Sequence, residues 1–325
     1  PNTYQTNMYK VLVTHYLPDE GLKLLYENFN VIIPNTGMID NSLLENNIVD
    51  CDAILCTYAF KVTKEVIDKA KQLKIIANFG VGYDNIDIEY AKSKHICVTN
   101  APGIATEYTA ELAMGLMLDI ARKIKENDIK IREKNGTDVI NVMSNLSYTL
   151  YGKTLGLIGI GNIAKAVAKR AIPFGMKVIY HSRNRLNLDI EKKLCVEWRN
   201  SLESILKESD FISLHIPATK KYLIDYNEFK LMKPNAIIIN TARGTLINEK
   251  SLIKALQEKI ILGGAIDVYE NEQQINPELL HLDNVLLSPH NGTGTIEARI
   301  QSAEKASQNI YNYFYGDKTK LNIVN

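Results

Sequence analysis

The chain has 325 residues, 46% hydrophobic and 23% charged, an ordinary globular composition long enough for about two domains. Its 38 Lys and Arg against 37 Asp and Glu leave +1, with no block of either sign, so a nucleic-acid partner is not expected and a small neutral or anionic ligand is. The most apolar stretch, Leu112 to Ile120, is too short to span a bilayer and contains Asp119, and no charged-then-apolar leader opens the chain, so neither membrane association nor export is expected and a cytoplasmic location is.

Residues 1–7 are polar and aperiodic and read as non-native. From Tyr9 onward, short β-rich runs alternate with helical patterns. Strands are expected at Lys10 to Thr14, Asn30 to Ile33, Ala53 to Cys56, Ile75 to Asn78 and Ile96 to Asn100, with helices such as Pro18 to Phe29 and Lys64 to Gln72 between them. A long helix is expected from Thr106 to about Ile124, then an irregular polar stretch from Glu126 to Tyr148. A second series follows, with strands at Thr154 to Ile158, Lys177 to Tyr180, Phe211 to Leu214, Ala236 to Asn240, Leu262 to Asp267 and Val285 to Ser288, and a last helix from Ile296 to Tyr315. This alternation predicts an α/β protein of two doubly wound, Rossmann-like domains. Cys51, Cys56, Cys97 and Cys195 show no Cys-x-x-Cys spacing and lie mostly beside apolar runs, predicting reduced, buried thiols and no metal site.

The strand Thr154 to Ile158 runs into Gly159-Ile160-Gly161-Asn162-Ile163-Ala164 and then a helical pattern. Gly159 permits a tight turn, Gly161 lets backbone approach a pyrophosphate, and Ala164 lets the helix pack on the strand. The helix start, through Asn162 and Ile163, offers unpaired N–H groups to the anion. A dinucleotide is therefore expected. Where an acidic side chain would bind an adenosine ribose, the sequence reads His181-Ser182-Arg183-Asn184-Arg185. A hydroxyl at Ser182 and guanidinium groups at Arg183 and Arg185 suit a 2′-phosphate, so NADP(H) is favoured over NAD(H). The competing reading is a solvated basic loop with Asp189 or Glu191 on the ribose.

Chemistry in open α/β sheets gathers at the carboxyl ends of strands. There the sequence places Arg243, Glu272 and His290, types suited to a carboxylate clamp, a charged neighbour that tunes histidine, and a proton donor. His15 and His215 also follow strands and are expected near the site, whereas His95 and His281 read as exposed.

The segments Asn78 to Asp87 (NFGVGYDNID), Thr99 to Gly103, Gly152 to Gly156, Asn240 to Gly244 and Ser288 to His290 together resemble the D-isomer-specific 2-hydroxyacid dehydrogenases, in particular their glyoxylate/hydroxypyruvate reductase branch. The resemblance implies a discontinuous substrate-binding domain (residues 1–101 and 293–325), an inserted NAD(P)-binding domain (102–292), a cleft between them, and a homodimer. It implies that Arg243 holds the substrate carboxylate and 2-oxo group, His290 is the acid/base, Glu272 bonds His290, and the N–H groups of Val81 and Gly82 bind the carboxylate. Asp267 and the backbone around Thr241, Ala242 and Gly292 would orient the nicotinamide, Thr106 would touch the cofactor, and Ile216-Pro217 would flank the adenosine. Gln273 departs from the family, which usually has proline there.

The function expected is reduction of a short 2-oxo acid by NADPH, with substrate size set by Thr57, Tyr58, Ala59 and Phe60, of which Tyr58 is singled out. The alternatives are an NAD-dependent D-lactate or D-3-phosphoglycerate dehydrogenase, and a nucleotide-sensing corepressor-like binding protein.

Overall fold

The computed structural model describes residues 8–325; the expectation that residues 1–7 are non-native lies outside the described residues. The chain divides into two compact units, one running to Ala105 and resuming at Thr293–Asn325, the other Thr106–Gly292. The division falls inside the first turn of the helix Ala105–Arg122, four residues after the position expected from sequence.

In the first unit β1 (Lys10–Val13), β2 (Asn30–Ile32), β3 (Ala53–Cys56), β4 (Ile75–Asn78) and β5 (Cys97–Thr99) form a parallel sheet in the order β2-β1-β3-β4-β5. Helices cover both faces, which is why β3 and β4 are buried at every residue and read as unbroken apolar runs rather than alternating ones. Val11, Val13, Leu55 and Ile75 pack on one face with Leu22 and Leu25 of helix Asp19–Asn28 and Ala303, Ala306 and Ile310 of helix Ile296–Phe314. The two helices touch at Gly21, where a Cβ would overlap the Cβ of Ala303, and Ser307 Oγ donates to the Gly21 carbonyl at 3.0 Å. That close approach returns the end of the chain to its first sheet.

In the second unit β6 (Thr154–Ile158), β7 (Lys177–His181), β8 (Val196–Trp198), β9 (Phe211–Leu214), β10 (Ile237–Asn240), β11 (Gly263–Ile266) and β12 (Val285–Leu287) form a parallel sheet ordered β12-β11-β10-β9-β6-β7-β8. β8 was not expected: three residues at a sheet edge carry too little pattern to separate a strand from a loop. The chain leaves β6 toward β7 on one side and returns to β9 on the other, so the order reverses between β6 and β9. That switch point is where a doubly wound sheet opens a crevice at its strand ends.

Three further expectations are corrected. The stretch after Arg122 is not irregular from its start, because Ile124–Glu133 is a second helix. Asp119 accepts the N–H of Lys125 at 2.8 Å at its beginning, and Lys130–Glu126 and Arg132–Asp128 pair four residues apart along it. Cys195 is exposed and Cys97 half-buried, whereas Cys51 and Cys56 are buried with thiols pushed up to about 12 by burial. Phe60 and Thr57 do not line an open surface: both are buried, Phe60 among Val62, Ile67 and Ile86. Tyr58 and Ala59, at the turn between them, are exposed. Among the described residues no helix is long and apolar enough to cross a membrane.

Candidate active site

At the switch point β6 ends in the glycine turn. Gly159 has φ +93°, a conformation that L side chains rarely adopt, and a Cβ there would overlap the His215 carbonyl and come within 2.6 Å of Ile216. Gly161 is different: nothing lies within 4 Å of the position its Cβ would take, so the residue leaves open space in front of the helix Asn162–Ala171. No side chain caps that helix, Gly161 and Asn162 are exposed, and Ala164 is fully buried against the sheet. Free N–H groups, a positive dipole end and an unobstructed approach fit a pyrophosphate.

Beyond β7 the basic loop is more constrained than its sequence suggests. Arg185 donates from Nε and Nη2 to both carboxylate oxygens of Glu191 at 2.9 and 2.8 Å and lies over the Trp198 ring at 5.3 Å. Glu191 is buried, accepts the Tyr180 hydroxyl at 2.6 Å, and is held by Arg185 below the usual carboxylate range. Two arms of the Arg185 fork and the Glu191 carboxylate are thus engaged with each other, which leaves the exposed Arg183 without a hydrogen bond or ion pair among the described residues. Ser182 Oγ donates to the Asn184 carbonyl at 2.6 Å and keeps its acceptor lone pairs. His215 bonds Ser213 Oγ at 2.8 Å and is pushed down to about 4 by burial, a neutral structural group beside the turn.

The reactive types of the second unit converge at the ends of β10, β11 and β12. The buried Asn240 closes the loop after β10, accepting from Ala242 N at 3.0 Å and donating to the Arg243 carbonyl at 2.9 Å. Arg243 Nη1 donates to the Ala242 carbonyl at 2.7 Å. The next residue must be glycine, because a Cβ at Gly244 would overlap the Tyr269 carbonyl. Tyr269, buried after β11, donates its hydroxyl to the Ser288 carbonyl at 2.7 Å and so fixes the end of β12. His290 N donates to the Asp267 carbonyl at 2.8 Å, and His290 Nδ1 lies 2.8 Å from Glu272. His290 has φ +51°, which is costly for a residue with a Cβ and is held here by those flanking bonds. Gln273 N donates to Asn271 Oδ1 at 3.1 Å, a bond that the family's usual proline could not make and that orders the loop carrying Glu272.

Asp267 is completely buried, and burial raises its carboxyl above the ordinary range. Its Oδ1 accepts from Asn291 N at 2.7 Å, whereas Oδ2, like the buried Thr241 Oγ1, has no hydrogen-bond partner among the described residues. Unpaired buried polar atoms at two adjacent strand ends are costly alone and suit a ligand carboxamide. Gly292 lies beside Asp267 and Thr109, and Thr106 is half-buried in the first turn of its helix.

In the first unit Tyr58 follows β3, and Val81 and Gly82 follow β4, at the carboxyl edge of that sheet. His15 follows β1; Thr57 Oγ1 lies 2.9 Å from its Nδ1, and burial lowers its pKa. Asn240 and Tyr269 were missed from sequence because an asparagine ending a strand and a tyrosine beginning a loop carry no distinctive signal.

A doubly wound sheet with a glycine turn at its switch point, partnerless acceptors at neighbouring strand ends and an arginine loop beside a paired histidine and carboxylate defines a nicotinamide-dependent oxidoreductase. Comparison gives the particular family. Residues 114–292 match the model of the D-isomer specific 2-hydroxyacid dehydrogenase NAD binding domain. The chain is 43% identical over 322 residues to the glyoxylate reductase of Thermococcus litoralis, covering 97% of this chain and 96% of that one. It is 41% identical over 314 residues to that of Pyrococcus furiosus, covering 95% and 93%. A solved NADPH-dependent glyoxylate/hydroxypyruvate reductase of Sinorhizobium meliloti superposes with a TM-score of 0.85 at 29% identity, covering 97% of each chain. The chain belongs to the D-isomer-specific 2-hydroxyacid dehydrogenase family, in its glyoxylate reductase branch, and is an NAD(P)-dependent reductase of 2-oxo acids.

Proposed function

We propose that the protein reduces glyoxylate to glycolate, or hydroxypyruvate to D-glycerate, with NADPH. The observation that carries this reading is the His290 to Glu272 pair at 2.8 Å beside the Arg243 loop. Arg243 holds the carboxylate and draws electron density from the 2-oxo group, and the N–H groups of Val81 and Gly82 complete the carboxylate's binding. His290, oriented by the Glu272 contact at Nδ1, donates a proton to the carbonyl oxygen as the C–O bond becomes single. The bound cofactor supplies the hydride. Asp267, Thr241 and the backbone around Ala242 and Gly292 orient its carboxamide, and Thr106 touches the same half. Gly159, Gly161, Asn162 and Ile163 hold the pyrophosphate, and Ile216 and Pro217 flank the adenosine. Arg183 leads the 2′-phosphate contacts, Ser182 joins it by turning its hydroxyl hydrogen from the Asn184 carbonyl to the phosphate, and Arg185 contributes its remaining donors. Tyr58 bounds the substrate side chain.

Initial rates with glyoxylate, hydroxypyruvate, pyruvate and 2-ketogluconate, each with NADPH and NADH, test this. The reading expects the highest kcat/KM for one of the first two acids with NADPH; a best pair of pyruvate with NADH overturns it.

A second copy of the chain is proposed as the partner. After the helix Ile124–Glu133 the second unit exposes Ile140 and Val142 almost entirely, and Met143 and Leu146 by more than half, an apolar run that a homodimer would cover. Light scattering on the purified protein gives twice the chain mass if so, and the chain mass if not.

A further inference from the structure

The loop between β4 and β5 is held by carboxamides in a way that decides where its N–H groups point. Asn78, the last residue of β4, is completely buried. Its Nδ2 donates to the Gly82 carbonyl at 2.6 Å and to the Gly80 carbonyl at 3.2 Å, which also accepts Ala101 N at 3.0 Å. Its Oδ1 lies 3.6 Å from the Cys56 thiol and 3.4 Å from Asn85 Nδ2, both donors, so the amide cannot be turned over without losing bonds on both sides. Between the two carbonyls Asn78 captures, that of Val81 accepts Asn100 Nδ2 at 2.9 Å. Asn100 is fixed in turn, its own carbonyl accepting Nδ2 of the buried Asn309 at 3.0 Å.

Three successive carbonyls are therefore occupied from the protein side. No peptide bond here is cis, and in a planar trans peptide the C=O of one residue and the N–H of the next point in opposite directions. Capture of the carbonyls of Gly80, Val81 and Gly82 thus turns the N–H groups of Val81, Gly82 and Tyr83 away from their captors. None of the three donates to another group among the described residues. Adjacent backbone donors with no acceptor of their own are available to an anion.

We propose that Asn78 and Asn100 are positioning residues that hold the N–H groups of Val81, Gly82 and Tyr83 outward as a three-donor cradle for the substrate carboxylate. The inference rests on the reading above, in which Val81 and Gly82 bind that carboxylate, and adds the Tyr83 donor and the two side chains that aim the set. Asn78→Asp keeps size and shape but replaces both N–H donors with lone pairs facing the carbonyls of Gly80 and Gly82, which releases them. Asn100→Ala removes one capture at a partly buried side chain and tests the same idea where folding is less at stake than at the fully buried Asn78.

The experiment is steady-state reduction of glyoxylate by both variants, with competitive inhibition by oxalate, NADPH binding by fluorescence and thermal melting alongside. The expected result is a KM for glyoxylate and a Ki for oxalate raised about 10-fold or more in Asn78→Asp and about 3-fold in Asn100→Ala, with NADPH affinity unchanged and kcat affected less than KM. A residue that served only stability would lower the melting temperature and leave KM in place. If Asn78→Asp does not fold, Asn100→Ala decides: KM within twofold of wild type overturns the proposal. A wild-type protein that reduces no 2-oxo acid overturns both this inference and the function it rests on, whereas an active wild type with both variants unchanged in KM overturns the inference alone.

Discussion

His290 presents its Nδ1 to Glu272 at 2.8 Å while its own backbone N–H donates to the carbonyl of Asp267 at 2.8 Å. The first contact chooses which ring nitrogen faces the carboxylate, and the second ties the imidazole to the strand end that carries the partnerless Asp267 oxygen. In the proposed reaction the proton leaves from Nε2, the ring nitrogen that does not face Glu272.

Proton donation by that nitrogen is the step that a His290 variant removes. His290→Asn should slow reduction about 100-fold or more with NADPH binding nearly intact. Glu272→Gln keeps a side chain of the same size but loses the carboxylate that orients Nδ1, so kcat/KM should fall with NADPH binding retained. An unchanged kcat/KM in Glu272→Gln would show that the pair does not act together.

Arg243→Lys replaces a planar fork with a point charge and should recover little of the activity lost in Arg243→Ala. The loss should appear in kcat/KM by about two orders of magnitude, because the clamp acts on the transition state. Near-normal kcat/KM in Arg243→Lys would remove Arg243 from this role.

The adjacent glycine is tested by stability. A Cβ in Gly244→Ala must displace the backbone at Tyr269, which carries the bond to Ser288, so the variant should lose about 1–3 kcal/mol together with much of its turnover. Equal chemical-denaturation midpoints for variant and wild type would mean that the two loops separate without cost.

Arg183→Ala should reduce the preference for NADPH over NADH about 10-fold, chiefly through KM, since one charged hydrogen bond is worth about 1.5–3 kcal/mol. Arg185→Ala should cost less in that preference and more in melting temperature, because the guanidinium it removes is paired with the buried Glu191. The reverse ranking in cofactor kinetics would place Arg185 on the phosphate.

His215 gives a stability signal at acid pH. Burial holds it at about 4 in the fold against 6.5 for the free side chain, so between those values the unfolded chain binds more protons. Its contribution is fully present above about pH 6.5 and is lost as pH falls toward 4, amounting to about 3 kcal/mol at most. Melting temperatures from pH 7 to 4 should fall more steeply for wild type than for His215→Asn; parallel curves would count against it.

What the sequence determined by itself is the chemistry that needs only neighbours along the chain. Gly159 and Gly161 announce a turn because no other residue fits the φ or leaves the space, unbroken apolar runs announce strands covered on both faces, and Arg243 and His290 announce a site because each follows such a run. Tertiary packing decided the rest. β8 exists only because β7 is there to pair with it, and Phe60 is core only because Ile67 and Ile86 reach it from other segments. Arg185 reads as a free cation until the next helix brings Glu191 beneath it. The carbonyls of Gly80 to Gly82 are captured by side chains from Asn78 and Asn100, and the last helix joins the first sheet because Gly21 has no side chain to keep Ala303 away. Whether the partners are far apart in the chain, as Gly21 and Ala303 are, or close, as Asn78 and Gly82 are, no local pattern names them, and in each it is the burial of a polar or apolar group against a specific neighbour that selects the arrangement.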